Sequence, residues 1–116
     1  NRAPEGIARF EKALQLEPKF ALARFNLGLA LATNGRAAES LAHFEQAVRL
    51  DPAYLDAEIN WGLSLASLDR FTEAEPHFVR ALKLNPQSPN ALAGYGRARA
   101  RAGRLDDAIA RLRAAD

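Results

Sequence analysis

Apolar residues return every three or four positions through most of the chain, and the pattern breaks at regular places. In residues 55–88, Ile59, Leu63 and Ala66 fall on one helical stripe, and Trp61 and Leu65 on a neighbouring one. A break follows at Ser67–Arg70. Phe71, Ala74, Phe78, Ala81 and Leu82 then mark a second helix. Asn85-Pro86 ends it, because the residue before a proline avoids the α region. Ser88-Pro89 opens the next helix as N-cap and first helical residue. Gly35, Asp69 and Gly103 hold equivalent places between paired helices, so a turn is predicted at each. Pro76 lies inside a second helix, removes one backbone bond and predicts a bend there.

The breaks recur because the chain repeats. Pro18, Pro52 and Pro86 are 34 residues apart, as are Gly28, Gly62 and Gly96. Phe10, Phe44 and Phe78 follow the same step, with Leu112 in the fourth place. So do Ala13, Ala47, Ala81 and Ala115. Residues 21–54 and 55–88 are identical at 13 of 34 aligned positions. Residues 89–116 supply most of a further, incomplete unit, and residues 1–20 the second helix of an earlier one. A fixed period of this length signals a helical-repeat array.

These positions resemble the tetratricopeptide repeat, a 34-residue helical hairpin, over essentially the whole chain. Large Leu27, Trp61 and Tyr95 stand beside small Gly28, Gly62 and Gly96. Small Gly6, Ser40, Ala74 and Ala108 accompany bulky Phe10, Phe44, Phe78 and Leu112. Small residues let two helices approach and large ones fill the space beside them. The resemblance implies an all-α fold, a right-handed superhelical solenoid of antiparallel hairpins, as one domain over residues 1–116. Its concave wall is made by the first helix of each unit. Arg24 and Glu58 depart from the pattern where the family often has tryptophan. Arg99 replaces a leucine and predicts looser packing of the last unit.

Asn26 and Asn60 sit in register in the middle of first helices, where asparagine is a poor helix former. The resemblance puts them on the concave wall. An asparagine amide offers an acceptor and donors side by side, so it can bond both the C=O and the N–H of one ligand peptide unit. The arrangement is similar to the asparagine ladder of O-GlcNAc transferase, a tetratricopeptide-repeat enzyme. It stops here at Gly94. The alternative is a solvated amide or one bonded to neighbouring backbone. Phe25, Leu29, Ile59 and Leu63 flank the asparagines and are expected to be partly exposed as an apolar binding stripe; burial against the adjacent unit is the alternative. Arg97 and Arg101 lie toward one end of the same wall. With Arg104 they suit an acidic group, or simply form a solvated basic end. Residues 97–113 hold six arginines against two aspartates. The family's chaperone-binding members hold a carboxylate with lysines and asparagines; Phe25, Leu29 and Ala93 stand where that scheme wants polar groups, so binding to heat-shock chaperone C-termini is not expected.

Composition narrows the function further. Net charge is only +2 with 26% charged residues, so no strong basic field argues for nucleic acid. Cysteine is absent, which excludes disulfides and thiolate zinc sites. No apolar run is long enough to insert in a membrane. His43 and His77 are repeat equivalents without a second ligand at metal spacing, and read as ordinary surface or inter-repeat histidines. Glu39 and Glu73 suit the start of a second helix. No phosphate loop or nucleophile motif appears, so no cofactor and no enzyme activity are expected.

The leading expectation is a non-catalytic scaffold that binds a protein or peptide in the groove. A substrate-recruiting array of a larger enzyme, such as a glycosyltransferase, would use the same wall. Self-association is compatible with either, through end helices expected to expose Ile7, Ile109 and Leu112. RNA binding is disfavoured by the proline spacing and the apolar groove. The alanine and arginine content associates with a bacterial source. The chain opens within a repeat unit, so an upstream targeting segment stays open and the cytoplasm is the default.

Overall fold

The computed structural model describes residues 3–16 and 20–114. Six helices follow in order: α1 (Ala3–Leu16), α2 (Ala21–Thr33), α3 (Ala37–Leu50), α4 (Leu55–Ser67), α5 (Phe71–Leu84) and α6 (Pro89–Ala114). No strand occurs among the described residues. Each helix packs on the next, and the first helices α2, α4 and α6 also touch along one wall. The radius of gyration is 16.1 Å, against about 13 Å for a globular domain of this length. The fold is a helical-repeat solenoid.

The turns follow from local chemistry. Gly35 takes φ +77, and Arg36 N–H donates to the Leu31 carbonyl at 2.9 Å, which ends α2 in a left-handed cap. Asp69 does the same with φ +61, and Arg70 N–H donates to Leu65 at 2.9 Å. Thr33 and Ser67 hydroxyls bond back to carbonyls of their own helices as these end. Arg36 and Arg70 then pair with Glu39 and Glu73 across the first turn of α3 and α5, and hydrogen bonds from the arginines hold both carboxylates below their ordinary range. Between units, Asp51 and Asn85 are extended before their prolines and accept from the backbone two residues on. Ser88 caps α6 by accepting from Ala91 N–H at 3.3 Å.

Two expectations are corrected. The turn predicted at Gly103 does not form: α6 is one helix of 26 residues running straight through it. Arg101 and Ala102 replace the Thr33-Asn34 pair that ends α2. Both are strong helix formers and neither carries a hydroxyl to bond back to the helix, so the glycine stays helical at a cost of roughly 1 kcal/mol. Ile7, expected at an exposed end, is buried against Ala23, Leu27 and Leu31. Ile109 and Leu112 are exposed as expected. α5 runs through Pro76 as a single helix. Phe10 and Ala13, repeat equivalents read from the sequence, have side chains outside the described residues, and Pro18 and Ala115 lie outside them altogether.

The core is a row of aromatic plugs in glycine notches. Phe44 fills the space at Gly28, where an added Cβ would come 2.7 Å from the ring. Phe78 lies between two glycines: a Cβ at Gly62 would fall 2.7 Å from it, and one at Gly94 would overlap it as well. Phe78 therefore ties α4, α5 and α6 together, and both phenylalanines are fully buried.

Candidate functional site

The wall of α2, α4 and α6 carries the residues singled out from the sequence, but it does not present all of them. Phe25 is only 8% exposed; its ring packs 5.1 Å from Tyr54 and 5.9 Å from Phe44. Ile59 is only 5% exposed and sits in the cluster around Phe78. The exposure expected of these two is thus corrected: Tyr54 and Phe44 cover Phe25, and the cluster around Phe78 takes Ile59, so both form the floor of the wall. Leu29 is half-buried against the Phe25 cluster. Leu63 is 38% exposed.

Asn26 and Asn60 are both partly exposed. The Asn60 amide donates to the Asp56 carbonyl at 2.8 Å, one turn back on its own helix. That bond orients the side chain and leaves one N–H and the carbonyl for another partner. Gly94, where the ladder stops, is buried, and any side chain there would strike Phe78. Packing therefore explains the missing third asparagine.

Three of the sequence-selected residues meet in one cleft. Leu63, Arg97 and Arg101 line a cavity of about 330 Å³ with Ala66, Ser67, Asp69 and Phe71. It lies between α4, the α4–α5 turn and α6. Both arginines are exposed, and among the described residues neither is in an ion pair. Arg99, on another face, reaches Glu75 of α5 at 3.2 Å and adds a tie between α5 and α6 in place of the leucine.

One cluster escaped the sequence reading. Glu58 is almost fully buried. Its carboxylate accepts from Arg80 Nε at 2.8 Å and lies 3.0 Å from His77 Nδ1; with a proton on that nitrogen the ring donates to Glu58, and without one it accepts from Arg80 Nη2, also 3.0 Å away. Trp61 stacks on His77 with centroids 3.8 Å apart. His77 is thus neither a surface nor an inter-repeat histidine but a buried link within one hairpin. The signal was present: between units Arg24 becomes Glu58 and Gln46 becomes Arg80, while the histidine is kept. In the earlier unit Arg24 Nε and His43 Nδ1 are buried without a hydrogen-bond partner.

Burial, with Arg24 next, pushes the His43 pKa down, opposed by Glu11 and Glu39. The unfolded chain then binds a proton more readily than the folded one, so stability should fall as pH drops below about 6.5, the ordinary histidine value, and level off below the lower folded value. Thermal melts between pH 7 and 5 should therefore slope less in His43→Gln than in the parent; identical slopes would contradict this.

Among the described residues no three His, Cys, Asp or Glu side chains are grouped to hold a metal, and no helix is long and apolar enough to cross a membrane.

Stacked hairpins with glycine notches, aromatic plugs and a shared first-helix wall define an α-solenoid of two-helix repeats. The chain belongs to the tetratricopeptide repeat family, whose model matches residues 1–54 and 59–116. Similar solved structures agree on the fold. The first TPR domain of Spaghetti (RPAP3), bound to an HSP90 peptide, superposes with TM-score 0.82 at 22% identity, covering 90% of this chain and 81% of that one. The Arabidopsis OM64 TPR domain gives 0.81 at 23% identity, covering 84% and 81%. YrrB, described as a TPR protein with an unusual peptide-binding site, gives 0.75 at 26% identity, covering 79% of this chain and 47% of that one. No curated protein matches the sequence.

Proposed function

We propose that the chain is a non-catalytic interaction scaffold that holds an extended peptide or partner segment along the wall of α2, α4 and α6. The observation that carries this reading is the α4–α6 cleft, where half-exposed Leu63 stands beside Arg97 and Arg101. Apolar surface next to cations that form no ion pair among the described residues suits a segment with an apolar side chain near an acidic one. Asn60 and Asn26 extend the site along the wall and read the ligand's backbone rather than its side chains. Leu29 adds apolar contact; Phe25 and Ile59 support the floor.

The peptide-bound Spaghetti domain supports peptide binding as a use of this fold, but its ligand does not transfer to this chain. Apolar Phe25, Leu29 and Ala93 leave no ring of polar groups for a terminal carboxylate, so an internal segment is the better match.

A peptide-library screen tests the proposal. The chain should select peptides that pair an apolar with an acidic residue. Asn26→Ala/Asn60→Ala should weaken them about 30-fold, the loss of two hydrogen-bond sets of roughly 1 kcal/mol each, with helicity and melting temperature held. Binding unaffected by the double substitution would sink the backbone-reading role.

A further inference from the structure

The straight course of α6 leaves a plug and its notch apart on the same helix. In the two closed hairpins, a glycine on the first helix receives a phenylalanine sixteen residues later: Phe44 at Gly28 and Phe78 at Gly62, both rings fully buried. The third pair at this spacing is Gly96 and Leu112. Gly96 has nothing within 4 Å of an added Cβ, and Leu112 is 71% exposed. Other equivalents show the same contrast. Ser40 and Ala74 are buried, while Ala108 is exposed. Leu105, Ile109 and Leu112 form one apolar stripe along the free half of α6, with Leu105 52% exposed. A straight helix cannot fold its second half onto its first.

We infer that a second copy of this chain covers that face, by a reciprocal exchange in which the second half of each α6 packs on the first half of the other. Leu112 of one copy then enters the Gly96 notch of its partner, and the reverse. The two closed hairpins supply the template for this fit, because they show which side chain such a notch takes and in which antiparallel register. That register centres the pair of α6 helices near Arg104 and brings Asp107 of one copy level with Arg101 of the other. The exchange is two-fold and closes on itself, which limits it to a dimer rather than an open stack. The hinge is Gly103, in the place where Gly35 makes a turn and allows Phe44 to close within the chain. Whether that place turns or runs straight decides between a closed monomer and an exchanged dimer. The inference does not rest on the peptide-binding reading.

Sedimentation equilibrium of the 116-residue chain over a range of concentrations tests it, with circular dichroism as a check on folding. The parent should show a monomer–dimer equilibrium. Leu112→Asp touches only an exposed side chain and should weaken the dimer about 100-fold, each of the two lost leucine contacts being worth roughly tenfold. Arg101→Thr/Ala102→Asn makes residues 100–104 identical to residues 32–36, so it should restore the turn, close the hairpin within the chain and give a folded monomer. Gly103→Ala stiffens the straight helix and should favour the dimer. A parent that stays monomeric throughout, a mass that grows beyond the dimer, or a dimer indifferent to both Leu112→Asp and the turn substitution would each overturn the exchange.

Discussion

Phe78→Ala is expected to cost about 4 kcal/mol of folding stability, as buried aromatic truncations do. The ring is fully buried and fills the notches of Gly62 on α4 and Gly94 on α6 from its place on α5. Neither glycine can grow to meet the void, so the cavity stays. The loss acts on the packing of α5 against both first helices, in a stack where each layer is held only by its neighbours. Phe44→Ala removes the plug of one glycine rather than two and should cost less. Chemical denaturation of the two variants checks the order. A Phe78→Ala loss below about 1 kcal/mol, or one smaller than that of Phe44→Ala, would contradict the plug-and-notch account of the core.

Glu58→Ala should cost about 2–3 kcal/mol, more than an ordinary surface acid. The carboxylate is out of water, and its removal leaves His77 buried against Trp61 without that partner. Arg80 is half-exposed and recovers hydration, which holds the loss below that of a fully buried ion pair. Glu58→Leu should recover the part of the loss that comes from the void, because an apolar side chain of similar volume fills the space. Equal losses for alanine and leucine in denaturant titrations would place the cost in the broken charge network rather than in the void.

Helix order, hairpin pairing, the two Gly35- and Asp69-type turns and the Ser88 cap were legible in the sequence, because each depends on residues within a few positions of one another. What was not legible depends on neighbours distant in sequence or on a competition between local preferences. Phe25 lies on the expected wall stripe, but Tyr54, a turn residue with serine as its counterpart in the next unit, packs over it. Ile59 is on the wall stripe too, and the cluster around Phe78 takes it. At Gly103 the glycine announced a turn, yet Arg101 and Ala102 favour helix, and no closed partner outweighs them. The Glu58–His77–Arg80 cluster was hidden because each member, read alone, is a polar residue that belongs on a surface. Of the candidate site, the cleft residues Leu63, Arg97 and Arg101 came together as one surface.

A peptide held along the first-helix wall, as proposed, must touch α2, α4 and α6 together. The most direct measurement is an NMR titration of the ¹⁵N-labelled chain with the tightest peptide from the library. The account predicts that backbone shifts move on α2, α4 and the first half of α6, with the side-chain amides of Asn26 and Asn60 among the largest changes. Shifts confined to α3 and α5, with both asparagine amides unmoved, would contradict it.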